Sequence, residues 1–160
     1  MRVLKDHKGF SLVELVVVAG LVAILAGISL QLIGHIGSAN IEKSTKYVTD
    51  ALSKQQMRSM SKENKPYLYI YEYNGKKYFI ISEETAYNSS TMGSKGTEIG
   101  NAEITYNNGS DHTVDSANVL KISYKKDGSF KECPNTITIT VGSNSRTITL
   151  NKETGRHVVD

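Results

Sequence analysis

The sequence predicts an α+β fold, in which one long N-terminal helix is laid against an antiparallel β-sheet or sandwich. Three observations carry that reading. Residues 15–28 are an unbroken run of apolar residues and glycine. No proline or glycine interrupts 38–61, where Ile41, Val48, Ala51 and Leu52 form an apolar stripe at helical spacing. Beyond residue 63 the period changes to two, with turn dipeptides between short runs. The divisions expected are a basic leader over 1–9, an apolar helix over 10–33, its polar continuation over 34–62 and a β-rich head over 63–160.

Composition narrows the classes. The 160 residues are 39% hydrophobic and 22% charged with 2 prolines, which excludes a collagen-like, proline-rich or wholly disordered chain. Apolar residues are concentrated at one end, which excludes a polytopic membrane protein. A single cysteine, Cys133, leaves no internal disulfide and no thiolate cluster. The formal charge of +3 is too mild to imply a nucleic-acid partner by itself.

The leader carries Arg2, Lys5 and Lys8 against Asp6. As a helix, residues 15–33 would extend about 28 Å, near the thickness of a hydrocarbon core. By the positive-inside tendency the leader stays cytoplasmic and the head faces outward. A removable secretory signal is the first alternative, but Ala26 has Ile24 two places before it, a poor small-x-small site. No cysteine follows 25–27, so a lipoprotein cut is excluded. Glu14 weighs against a simple anchor, because a carboxylate in a membrane helix costs about 2.5–3.5 kcal/mol if central. A cut between Gly9 and Phe10 would place a new α-amine four residues before Glu14. The amine of one subunit could then meet the carboxylate of its neighbour. At an effective dielectric near 20 and a separation of about 4 Å, such a pair is worth about 4 kcal/mol before desolvation.

The run Lys8-Gly9-Phe10-Ser11-Leu12-Val13-Glu14-Leu15 resembles the processing site of type IV pilins and type II secretion pseudopilins. The resemblance implies that prepilin peptidase cuts between Gly9 and Phe10, that Phe10 is N-methylated, and that Glu14 supports subunit assembly. It also implies other pilin or pseudopilin subunits and membrane lipid as partners, in a single-pass cytoplasmic or inner membrane protein. Loss of the leader would reduce the net charge to +1. Ala19, Ala23 and Gly27 recur every four residues, a seam along which helices could approach closely; composition alone explains the same residues. Many pilins have a proline in this helix, and this chain has none before Pro66.

Pro66 closes the helical region. Met57 and Met60, near its end, read as core filler. Residues 67–73, Asn74-Gly75 and 76–81 read as strand, type I′ turn and strand. Tyr67, Tyr69, Tyr71 and Tyr73 then share one face. That face could stack bases or glycans, although cross-strand packing or a cover for the helix explains it more simply. Residues 88–101 and 107–118 read as loops, with Asp111 and Asp115 at spacings that match no calcium loop. In the last third, strands over 119–124, 136–141, 146–150 and 156–159 alternate with turns at Asp127-Gly128, 142–145 and Thr154-Gly155, as in an antiparallel meander. The order of these strands and turns resembles the head of GspH/FimT-like pseudopilins and minor pilins.

No enzymatic constellation is present. His7, His35, His112 and His157 are scattered, without HExxH spacing, and there is no GxSxG elbow or phosphate-binding glycine loop. Cys133 lacks an activating partner in sequence. No cofactor or metal is expected. Between residues 121 and 157 the basic side chains exceed the acids by four. Lys125, Lys126, Arg146, Lys152 and Arg156 are therefore a candidate DNA-binding set, and Gly155-Arg156 resembles the basic C-terminal segment of DNA-holding FimT-like pilins. The second arginine of that segment is missing. Three readings stand: a minor pilin or pseudopilin, a DNA-binding minor pilin for natural transformation, and a membrane-anchored extracytoplasmic protein outside any filament.

Overall fold

The computed structural model describes residues 11–61 and 65–160, with the backbone alone for 26–37. The chain divides into two compact units, Met1–Ile36 and Gly37–Asp160. Helix α1 (Leu12–Ser61) contributes to both.

In the second unit α1 packs on two five-stranded antiparallel sheets. The first has the order β3 (Thr97–Gly100), β2 (Lys76–Ser82), β1 (Tyr67–Tyr73), β6 (Leu120–Tyr124), β7 (Phe130–Glu132). The second has the order β10 (His157–Val159), β9 (Asn144–Leu150), β8 (Thr136–Val141), β4 (Glu103–Asn107), β5 (Asp111–Thr113). The α+β expectation therefore holds, with two sheets in the head.

The helical stripe does what its spacing implies. Val48, Ala51 and Leu52 are buried in one core with Leu68, Ile70 and Ile122 of the first sheet and Ile104, Ile137, Ile139 and Ile148 of the second. Burying each of the larger side chains contributes about 1.5–3 kcal/mol. The stripe continues in polar residues, since Gln55 and Ser59 are also fully buried. Met57 is 66% and Met60 50% exposed, so the core-filler reading of both is wrong. At about 100° per residue Met57 lies roughly 180° around the helix from Val48, on the face turned away from the sheets.

The β1–β2 hairpin forms as the Asn74-Gly75 signal predicts. Asn74 (φ 50) and Gly75 (φ 74) both adopt the left-handed conformation that a type I′ turn requires, with Tyr73 opposite Lys76. Elsewhere the sequence reading needs three corrections. The stretches read as loops at 88–101 and 107–118 contain helix α2 (Ser89–Met92) and strands β3 and β5. Both strands are short, mostly exposed sheet edges, which need few apolar residues. The strand ending at Tyr124 is not part of the meander of β8, β9 and β10; it pairs with β1 in the other sheet. Strand alternation shows which residues share a face, but not which sheet the strand joins.

The third correction is partial: the tyrosines pack across strands as read, Tyr71 stacking on its cross-strand partner Tyr78 at 6.0 Å between ring centroids, but they are no cover for the helix. Leu68 and Ile70 face the main core, so the tyrosine face of β1 is turned away from it and does not cover the helix. Tyr69 and Tyr71 are buried there with Met92. The Tyr71 hydroxyl donates to the carbonyls of Met92 (2.9 Å) and Gly93 (3.2 Å), and that of Tyr69 to the carbonyl of Glu84 (2.8 Å). The 84–93 segment thus closes over the stripe, leaving neither ring free to stack a ligand. Tyr87 completes the packing, 4.6 Å from Tyr71 between ring centroids.

Burial, with smaller contributions from neighbouring tyrosines, pushes both Tyr69 and Tyr71 from the usual 10.0 up to about 12. An unfolded chain would ionise these groups near 10, while the folded one holds the protons. Their stabilising contribution is complete below pH 10 and is lost as pH rises toward 12. The melting temperature should fall across that interval, with the ultraviolet absorbance of tyrosinate appearing in two stages. A single stage at the free-tyrosine position would show that the pair is not covered.

Candidate functional site

The N-terminal part of α1 begins where Leu15 N donates to Ser11 O (3.1 Å). Glu14 sits in the first turn, where a carboxylate complements the helix dipole, and is exposed. Ten large apolar side chains between Leu12 and Leu25 are 53–79% exposed. Covering what remains exposed would stabilise the system by on the order of 10–20 kcal/mol. Ala19 and Ala23 lie on this exposed stretch, and a Cβ built on Gly20 meets nothing within 4 Å. Close approach of a second helix is therefore sterically open here. Gly9 and Phe10, the expected cleavage and methylation residues, lie outside the described residues, as do the surroundings of Gly27. Among the described residues no helix is long and apolar enough to cross a membrane. The expected 10–33 span also takes in Phe10 and the side chains of 26–33, which are outside that description.

At the far end of α1 the Gln56 amide nitrogen donates to Gly128 O (2.8 Å) and Gly155 O (3.2 Å). Phe130 N donates to Lys152 O (3.0 Å). These bonds draw together the 125–128 and 151–155 turns, bringing Lys125, Lys126, Lys152 and Arg156 to one exposed end of the head. Arg146 does not join them. It lies four residues before Leu150 on β9, about 13 Å along the strand, and lines a cleft with Ser38, Ile41 and Glu42. Two carboxylates dilute the remaining cations. Asp127 accepts from Ser129 Oγ (2.6 Å) and Ser129 N (2.9 Å), bonds that hold it below the usual carboxylate range, and Glu153 is exposed beside Lys152.

The other singled-out residues have local roles. Cys133 is half-buried, and burial pushes its thiol up, away from reactivity. Asp115 accepts from Ala117 N, Asn118 N and Asn118 Nδ2, while Asp111 accepts from Asn107 Nδ2. Among the described residues no three His, Cys, Asp or Glu side chains come together as a metal site would require. His157 is half-buried, and burial lowers its imidazole below 6.5; Nε2 lies 3.5 Å from Ser53 Oγ.

Sequence reasoning missed three positioning residues. Gln55 Nε2 donates to Pro66 O (3.0 Å) and Ile122 O (2.7 Å), Gln56 clamps the two turns, and buried Lys77 pairs with Glu72 while donating to Val114 O (2.7 Å). A usable signal existed for Gln55, which falls on the same helical face as Val48 and Leu52.

In comparison with known families, residues 4–30 match the prokaryotic N-terminal methylation motif. No curated protein and no solved structure matches the chain. The motif match covers Gly9, Phe10, Glu14, Ala19, Ala23 and Gly27 and ends before the head. It implies a membrane-anchored N-terminus and, in general, processing by a peptidase and assembly with other subunits. The chain thus carries at its N-terminus the methylation motif that supports a type IV pilin-like or pseudopilin precursor.

Proposed function

We propose that this chain is a minor pilin or pseudopilin whose task is assembly and not catalysis. Prepilin peptidase cuts between Gly9 and Phe10 at the cytoplasmic face of the membrane, and Phe10 acquires the methyl group. The 10–33 helix waits in lipid with the head extracytoplasmic. It then enters a type IV pilus or type II secretion pseudopilus, where Glu14 meets the terminal amine of a neighbouring copy. Ala19, Ala23 and Gly27 let helices approach along one seam.

One combination supports this reading above all: the methylation motif at 4–30 contains a helical stretch whose large apolar side chains from Leu12 to Leu25 are exposed. An amine–carboxylate pair gives that helix a register which apolar contact alone would not. The reading extends to a GspH/FimT-like head, on the order of turn and strand signals from Asp127 to Val159 in the sequence.

Mass spectrometry of the chain recovered from its own membrane tests the proposal. The expected mature form starts at Phe10 with a methylated amine. A working protein that still carries residues 1–9 would overturn it.

A further inference from the structure

Beside α1, on the flank away from Gln56, a cleft of about 110 Å³ is lined by Lys54, Arg58, Phe79, Ile81, Lys95 and Thr97, with Ile80. The three cations come from two separate elements. Lys54 and Arg58 lie one helical turn apart on α1, and Lys95 is in the connection between α2 and β3. Among the described residues no carboxylate lines the cleft. Other clefts in the head mix the signs: Lys43 and Lys76 with Glu98, Arg146 with Glu42, Lys121 with Glu132.

Three lysines elsewhere in the head are engaged. Lys76 pairs with Glu98 at 2.9 Å, Lys77 with Glu72, and Lys121 donates to Thr85 O while lying over the Tyr67 ring. Among the described residues neither an ion pair nor a hydrogen bond engages the head groups of Lys54, Arg58 or Lys95. Like charges at i and i+4 destabilise a helix, and a third cation across the cleft adds to the repulsion. The floor is apolar: Phe79 and Ile81 are partly buried against the main core. A low-dielectric floor strengthens attraction for an anion above it.

We propose that this cleft binds a phosphoryl oxyanion. The planar fork of Arg58 suits two oxygens of one phosphoryl group, and the two ammonium groups neutralise its charge from opposite walls. The phosphoryl group can belong to free phosphate or to a phosphodiester strand. The site is independent of Lys125, Lys126, Lys152 and Arg156, and independent of whether the chain enters a filament.

The test uses the full chain in a neutral detergent, titrated calorimetrically with inorganic phosphate and, separately, with a short oligothymidylate. Phosphate should bind and should raise the melting temperature above that in chloride at equal ionic strength. Arg58→Gln and Lys95→Gln should each weaken phosphate binding at least about ten-fold, and Arg58→Lys should retain part of it. Lys131→Gln, at an exposed position on β7, should change nothing. Without phosphate both Gln variants should melt no lower than the parent, because each removes an unpaired charge; a structural role would lower the melting point. Oligothymidylate binding that phosphate competes away, and that weakens steeply with salt, assigns a phosphodiester strand; binding of phosphate alone assigns a small oxyanion. The proposal is overturned if neither probe binds, or if Lys131→Gln and the cleft variants behave alike.

Discussion

Gly155→Ala is expected to cost about 3–5 kcal/mol of folding stability, large for the addition of one methyl group. Gly155 is buried at φ +69, so an L side chain is strained there in any surroundings. The added Cβ would lie 1.8 Å from Gly128 O and 2.7 Å from Gln56 Nε2. Both neighbours are fixed: the carbonyl is backbone in a tight turn, and the amide is already bonded to the Gly128 and Gly155 carbonyls. Relief requires the 125–128 and 151–155 turns to separate, which breaks the Gln56 bridge. Gly142→Ala supplies the comparison. Its φ is +62, yet nothing lies within 4 Å of its Cβ, so only backbone strain of about 1–2 kcal/mol applies. Urea unfolding of the two variants separates the contributions. Equal losses would show that the turns do not approach as closely as described.

Glu14→Ala should abolish incorporation into filaments, by at least about a hundred-fold, while leaving cleavage and methylation intact. In the proposed filament the Glu14 carboxylate pairs with a neighbour's terminal amine. Removing the carboxylate leaves that amine without its counter-charge in an apolar bundle, the costly way to break an ion pair. Glu14→Asp keeps the charge on a shorter arm and should restore assembly in part. The head does not include Glu14, so its melting transition should be unchanged. Sheared filaments analysed by immunoblot, together with the mass of the mature terminus, give both readouts. Normal assembly of Glu14→Ala would remove the electrostatic part of the proposal.

Much of the fold was legible because single residues impose it. Asn74-Gly75 announced the β1–β2 turn through the backbone it tolerates, and Val48 and Leu52 announced the buried face of α1 through their spacing. Partnership between distant strands was not legible. Nothing local to 120–124 distinguishes pairing with β1 from pairing with β8, since both would bury Ile122. Edge strands such as β5 were hidden because a strand with one neighbour and little burial can be built from Asp, His and Thr. The candidate basic set was half legible: sequence proximity gathered five cations, but β9 carries Arg146 away from the turns that hold the other four. The cleft of Lys54, Arg58 and Lys95 joins residues about forty positions apart, a distance over which no periodicity speaks.

Adjacent amides at the end of α1 also have a mechanical meaning. Gln55 holds Ile122 of the first sheet, and Gln56 holds one turn from each sheet. Tension drawn along the helix axis is therefore shared among several carbonyl grips on both layers at once. Such a joint loads its bonds side by side, so that no single one carries the whole pull.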